Sequence, residues 1–195
     1  KINKLIYIFF FYFIWLNNVH SIEPNIFVQS TVDRASKLLS NNISKKQKID
    51  ELQIIAKQTV DIKGIGFYTL GSFRKTLDQE QKKELLILFE KYFLKSFSSR
   101  LSEWTNPEIN VVSQKIINKK YTIVNSVLKG TDNRPEVKID WRIYTKNSDK
   151  PLIRDVIIEG LSLARTQKEE FSSILNSNDG DINALFKILK DFSKN

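Results

Sequence analysis

The chain has 195 residues, of which 41% are hydrophobic and 27% charged, so it is long enough for one domain with a buried core and is not a disordered chain. It has no cysteine, and its one histidine is His20, in the leader described next. The rest of the chain therefore lacks the side chains of a Ser-His-Asp triad, a cysteine nucleophile or most zinc and copper sites. We expect no enzyme, no metal and no cofactor, and a small hydrolase using carboxylates is the least favoured alternative. The net charge of +9 favours an anionic partner.

The first 21 residues have the features of a secretory signal peptide. Lys1 and Lys4 precede an apolar run over 5–16, and a more polar tail ends at Ser21. This arrangement predicts cleavage after Ser21, because the run is shorter than the about 20 residues that a membrane-spanning helix needs. An uncleaved anchor is the alternative. The expected product is one periplasmic domain over 22–195. It keeps a charge of +7, since the leader has two lysines and no acid. Nucleic acid is not expected as a partner of an exported domain.

Helical patterns come first in the chain. Periodic apolar residues predict helices over 25–39 and 44–61 and a short helical piece over 65–73, after the glycines. A longer amphipathic helix is predicted to begin at a capping box of Thr76 and Gln79. It runs to Trp104 with an aromatic-rich face.

Four strands are predicted next, over 109–117, 121–128, 136–144 and 152–159, since these segments are rich in β-branched residues and are separated by turn-forming clusters. Apolar residues alternate with polar ones in the third strand, as expected for a sheet with one buried face. Helices over 161–175 and 181–192 close the chain. This order predicts an α+β fold, in which a four-stranded antiparallel curved sheet packs against N-terminal and C-terminal helices.

Motifs spread over residues 26–192 resemble the MlaC family, the toluene-tolerance-type auxiliary component of a phospholipid ABC transport system. The segment 61–74 ends in Leu-Gly-Ser-Phe-Arg, and 76–82 opens the long helix in the way this family does. The run Asp-Val-Ile-Ile-Glu-Gly-Leu-Ser at 155–162 is similar to the family's strand-to-helix junction. The chain departs from the family pattern at 151–154, where Pro-Leu-Ile-Arg replaces a segment with two aromatic residues.

The resemblance implies a periplasmic phospholipid-binding shuttle that maintains outer-membrane lipid asymmetry. Its implied partners are a phospholipid, an inner-membrane MCE-domain protein of an ABC transporter and an outer-membrane lipoprotein complex. It also implies an apolar lipid cavity between sheet and helices. The candidate lining residues are Phe73, Phe89, Phe93, Phe97, Val137, Ile139, Trp141, Ile143, Val156 and Ile158. Plain core packing explains each of these residues equally well. The alternative functions are a carrier of hopanoid or another non-phospholipid lipid, or a periplasmic adaptor that binds no lipid.

Overall fold

The computed structural model describes residues 21–132 and 134–194, in which helices precede and follow one sheet. The first helices are α1 (Pro24–Ser40), α2 (Lys45–Thr59), α3 (Ile62–Thr69) and α4 (Gln79–Leu101), with a 3₁₀ turn at Phe73–Lys75. The strands are β1 (Ile109–Asn118), β2 (Tyr121–Leu128), β3 (Val137–Tyr144), β4 (Leu152–Ile158) and β5 (Leu161–Ser162). The last helices are α5 (Leu163–Asn176) and α6 (Ile182–Lys194). The predicted signal peptide lies outside the described residues except for Ser21, and none of the described helices is both long and apolar enough to cross a membrane.

The sheet is antiparallel and open, and its strands lie in chain order from β1 to β5. The predicted α+β fold is confirmed, but the sheet has five strands rather than four. The additional strand, β5, pairs with the end of β4 across Glu159 and Gly160, whose φ angles of 48° and 83° are those of a tight hairpin turn. A strand of two residues is too short to show the alternation by which strands are recognised in a sequence.

The predicted start of the short helix is wrong, since α3 begins at Ile62 and not after the glycines. The Asp61 carboxylate accepts a hydrogen bond from the Gly64 amide at 2.8 Å and so caps the first turn. Gly64 and Gly66 therefore lie within the helix.

The predicted cap of the long helix is also wrong, because Asp78 and not Thr76 occupies the capping position. The Asp78 carboxylate accepts from the Gln81 amide at 2.8 Å, and the Gln81 side chain accepts from the Asp78 amide at 3.0 Å. This is the reciprocal arrangement of a capping box, two residues later than predicted. The helix then ends at Leu101, before Trp104.

Two hydrophobic clusters form the core. The helical cluster is built from α2 to α6, and the sheet cluster joins α1 to the inner face of the sheet through Val28 and Val32. Val60 packs against both clusters. Within α1, Val28 is fully buried whereas Ile26 is 61% exposed. The buried members of both clusters lie between Val28 and Leu189, so residues 22–195 contain the whole described core.

The junction between α2 and α3 is fastened to β4 by both backbone and side chains. Val60 forms a bridge with Ile153, and the Asp61 amide donates to the Ile153 carbonyl at 2.9 Å. The Arg154 guanidinium forms a half-buried ion pair with the Asp61 carboxylate and lies over the Tyr144 ring, 4.6 Å from its centroid. A Cβ at residue 64 would lie 2.6 Å from the Arg154 and Asp61 side chains, so a larger residue there would displace this ion pair.

Replacing Asp61 with asparagine removes the charge that pairs with Arg154 and keeps the size of the side chain. We expect the variant to lose about 2 kcal/mol of unfolding free energy. This is less than the loss on removing one partner of a fully buried ion pair, because the Asp61–Arg154 pair is only half-buried. Urea denaturation of residues 22–195 measures this loss. Glu80→Gln, in an exposed pair with Lys83, is the control and should change stability by less than about 0.5 kcal/mol; equal effects of the two substitutions would contradict a special role for Asp61.

Candidate functional site

One face of the sheet brings together the predicted lining residues of β3 and β4. Residues directly opposite each other in an antiparallel pair point to the same side of a sheet. Ile139 lies opposite Ile158 and Trp141 lies opposite Val156. Val137 and Ile143 share this face by alternation along β3. Ile139 and Ile143 are buried, and the remaining members of the set are half-buried.

A buried serine fixes the orientation of the indole on this face. The Ser126 hydroxyl accepts a hydrogen bond from Trp141 Nε1 at 2.8 Å and donates to the Ile139 carbonyl at 3.0 Å. Ser126 is buried beside Trp141 and its hydrogen bonds are satisfied. The face therefore offers an apolar surface to a ligand at this point without the cost of an unpaired polar group.

The predicted aromatic residues of α4 form a column along that helix. The ring centroids of Phe89 and Phe93 are 6.2 Å apart, and those of Phe93 and Phe97 are 5.6 Å apart. Phe89 is 1% exposed and also meets the ring of Phe171 edge-on at 6.1 Å. Phe89 is thus part of the helical core, whereas Phe93 and Phe97 are half-buried at the margin of the helical cluster.

Phe73 lies in a different part of the helical cluster. Its ring is 3.3 Å from the position that a Cβ on Gly180 would occupy, in the turn between α5 and α6. Phe73 is half-buried there. Its contacts place it beside the C-terminal helices and not on the sheet face.

Five half-buried apolar residues that pack against one or both clusters are grouped here as the apolar seam, and Val60, which packs against both, lies where the clusters meet. Helices α1, α3 and α5 make the most extensive helix contacts with the sheet, while α4 packs mainly on α2, α3 and α6. The seam residues are Val60, Phe93, Phe97, Trp141 and Val156. They are half-buried members of one cluster or the other, and Val60 belongs to both.

Two surface depressions lie away from the seam. One, of about 680 Å³, is open and mostly polar, between α3 and α5, with Tyr68, Arg165 and Lys168 in its wall. The other, of about 190 Å³, lies between α1 and α2. Neither contains a predicted lining residue, so the apolar cavity between sheet and helices stays a prediction.

Sequence analysis missed the contribution of α1 to the sheet face. Val28 and Val32 pack there with Val124, Ile143 and Ile153. Their spacing of four residues, which places two side chains on one side of a helix, was the available signal. The hydrogen bond between Ser126 and Trp141 had no such signal, because it depends on the pairing of β2 with β3.

The motif at 155–162 is explained by local structure. The buried Asp155 carboxylate accepts hydrogen bonds from the Ser162 hydroxyl at 2.6 Å and from the Ala164 amide at 3.0 Å. The Ser162 hydroxyl in turn caps α5 by accepting from the Arg165 amide at 3.1 Å. The Glu159 carboxylate accepts from a backbone amide of β3 at 2.5 Å. These acidic and hydroxyl groups therefore hold α5 against β4.

The buried and paired titratable groups act in packing. Burial, and secondarily the charge of Glu170, raises the pKa of Tyr92. The Tyr92 hydroxyl donates to Gln167 at 2.9 Å and links α4 to α5. A hydrogen bond from Lys129 lowers the pKa of the exposed Glu108. Among residues 21–132 and 134–194, no group of three His, Cys, Asp or Glu side chains is placed to hold a metal ion.

These features define an α+β protein in which helices cover the apolar face of an open antiparallel sheet. The family model described as "MlaC protein" matches residues 29–191. The chain belongs to the MlaC family, which confirms the resemblance seen in its motifs.

A solved structure has a similar fold. It is the phospholipid-binding protein from Ralstonia solanacearum in complex with a phospholipid, with a TM-score of 0.74 and 17% sequence identity. The match covers 89% of this chain and 98% of that chain, so it includes both the sheet and the helices around it. No curated protein matches the sequence.

Replacing Asp155 with alanine removes the acceptor shared by Ser162 and the first turn of α5. A buried amide left without a partner costs about 1–3 kcal/mol, so we expect a loss of about 2 kcal/mol of unfolding free energy. Urea denaturation followed by circular dichroism measures it. Asp50→Ala, at an exposed residue paired only with Lys46, is the matched control and should be nearly neutral; an Asp155→Ala variant as stable as this control would show that the cap contributes little.

Proposed function

We propose that the protein is a phospholipid carrier of the periplasm and not an enzyme. It would move lipid between an inner-membrane MCE-domain protein of an ABC transporter and an outer-membrane lipoprotein complex, and so maintain outer-membrane lipid asymmetry. The observation that carries the proposal is membership of the MlaC family over residues 29–191. The shared fold with a phospholipid-binding protein that holds a phospholipid supports it. The periplasmic location rests on the signal peptide predicted over 1–21.

The acyl chains would lie at the apolar seam. Of the candidate lining residues, we assign lipid contact to the half-buried ones, and core packing to Phe89, Ile139, Ile143 and, beside the C-terminal helices, Phe73. The proposed contact residues are Phe93, Phe97, Val137, Trp141, Val156 and Ile158. Their half-buried state supports this division, since these side chains have surface left that a ligand can cover.

The way the two layers are fastened supports the same location. The Asp61–Arg154 pair and the Asp155 cap attach α3 and α5 to β4, and α4 packs mainly on other helices. Chains could therefore enter between α4 and β3 without breaking either attachment.

Transfer of apolar chains needs enclosure and no chemical step. At about 0.8 kcal/mol per methylene, two chains of about sixteen carbons would cost on the order of 25 kcal/mol to expose to water. An aliphatic and aromatic lining is enough to avoid this cost. Because a bilayer offers the same apolar surroundings, exchange is close to isoenergetic, and its direction would be set by the partner complexes.

The test is native mass spectrometry of residues 22–195 purified from exporting cells, followed by extraction and identification of the lipid. Stoichiometric phospholipid supports the proposal. A hopanoid or another lipid in its place would keep the carrier and overturn the phospholipid. A folded, ligand-free chain that takes up no lipid from vesicles would contradict the carrier and favour an adaptor.

The seam itself can be tested by fluorescence. With Trp104→Phe, Trp141 is the one tryptophan of residues 22–195, and phospholipids with brominated acyl chains should quench it on uptake. Ile158→Lys, which places a charge beside Ile139 on the sheet face, should lower lipid uptake at least tenfold, because a charge in an apolar site is strongly unfavourable.

Ile87→Lys is the matched control, since Ile87 is 58% exposed on α4 and is not one of the proposed contact residues. We expect it to take up lipid as the wild type does. Equal loss in both variants, or no quenching of Trp141 in a chain that holds lipid, would place the ligand elsewhere.

A further inference from the structure

Two turns at one end of the sheet form a basic surface with exposed isoleucines. The β1–β2 turn and the β3–β4 turn are neighbours, because Tyr121 pairs with Tyr144 and the Thr145 amide donates to the Lys120 carbonyl at 2.8 Å. We call this region the basic hairpin end. Its residues are Ile116, Ile117, Lys119, Lys120, Lys146 and Lys150.

The lysines of the basic hairpin end have no acidic partner. All four are exposed, and none is in an ion pair within the described part of the chain. The acidic residues nearby in sequence or contact are Asp149 and Glu23, so positive charge is in excess there. Unpaired lysines of this kind are attracted to anionic lipid headgroups.

Apolar side chains are exposed beside these lysines. Ile116 is 75% and Ile117 is 51% exposed, and the Tyr121 and Tyr144 rings lie 5.4 Å apart at the same end. Exposed aliphatic residues next to lysines and tyrosines are the combination that suits the interfacial region of a bilayer.

The edge of β1 is poorly suited to pairing with a strand of another protein. Its register with β2 shifts at Val112 and again at Ile117. Irregularities of this kind, together with lysines on the edge, disrupt the regular ladder that an added strand needs. A flat lipid surface makes no such demand, so it is the better partner for this end.

The described chain also begins at this end. The Ile22 amide donates to the Ser148 carbonyl, in the β3–β4 turn, at 3.0 Å. The apolar run 5–16 lies a few residues upstream in the sequence. The predicted cleavage position after Ser21 therefore lies at the basic hairpin end.

We propose that the basic hairpin end docks the protein on an anionic bilayer surface, with Ile116 and Ile117 entering the headgroup region. The biological role of this docking rests on the proposed carrier function, because docking would place the carrier beside the lipid that it takes up or delivers. The surface itself is defined by charge and exposure, and it shares no residue with the seam.

Flotation of residues 22–195 with vesicles tests the docking. The vesicles are phosphatidylcholine alone or phosphatidylcholine with about one third phosphatidylglycerol. We expect binding to the anionic vesicles only, and its loss near 0.5 M salt, where the screening length is about 4 Å. Binding to neutral vesicles that equals binding to anionic ones would overturn the proposal.

Paired variants locate the contact. Each lysine near an anionic surface changes binding roughly fivefold, so Lys119→Glu with Lys120→Glu should weaken binding at least tenfold. Ile116→Ser with Ile117→Ser should weaken it several-fold at unchanged charge. The control is Lys91→Glu with Lys187→Glu, at residues exposed on α4 and α6. This variant has the same net charge as Lys119→Glu with Lys120→Glu. It should bind within about twofold of the wild type.

Native mass spectrometry of the same variants separates docking from lipid carriage. Variants of the basic hairpin end should keep their bound lipid and their urea midpoint. Equal weakening by both lysine pairs would mean that net charge alone drives binding and would overturn the docking site. Vesicle binding by a chain that holds no lipid and takes none up from the vesicles would refute the carrier and leave the docking site standing. Bound lipid with no vesicle binding would do the reverse.

Discussion

The ion pair between Asp61 and Arg154 is the interaction on which the rest of the architecture depends. It lies where the helical cluster meets the sheet cluster, and it works together with the bridge between Val60 and Ile153. One carboxylate performs two tasks there, since Asp61 also caps α3 through the Gly64 amide. Because a buried charge is costly without its partner, the start of α3 and its position against β4 are determined together.

A second attachment lies on the same strand. Asp155 follows Arg154 directly, and it holds the first turn of α5 through Ser162 and Ala164. The two attachments therefore hold α3 and α5 against β4. Helix α1 covers the β1–β2 side through Val28 and Val32. The β3 side, which faces neither attachment, retains the half-buried Trp141. The position of the seam follows from where the polar contacts are placed.

The sequence allowed the strands and the inner face of the sheet to be predicted, because alternation and β-branched residues reflect burial directly. The limits of β2 were predicted correctly. Prediction failed at the start of the short helix, which was expected after the glycines: Gly64 and Gly66 lie inside α3, where a Cβ would meet Arg154 at 2.6 Å and the Phe89 ring at 2.8 Å, respectively. Local propensity could not reveal those contacts, nor could it separate half-buried residues from core, because that depends on which helix covers which strand.

The motifs that resemble the family are explained by the contacts that hold the helices on the sheet, and not by contacts with a ligand. Asp61, Asp155 and Ser162 make caps and attachments, while the seam is lined by residues that many sequences could supply. A lipid-free seam that stayed open would expose apolar surface at about 25 cal/mol per Å², so a few hundred Å² would cost several kcal/mol. If the seam holds acyl chains as proposed, it would close when empty and part when the chains supply the missing contacts. Attachment of α3 and α5 along one strand, with α4 packed mainly on other helices, would permit that movement while the polar attachments remain intact.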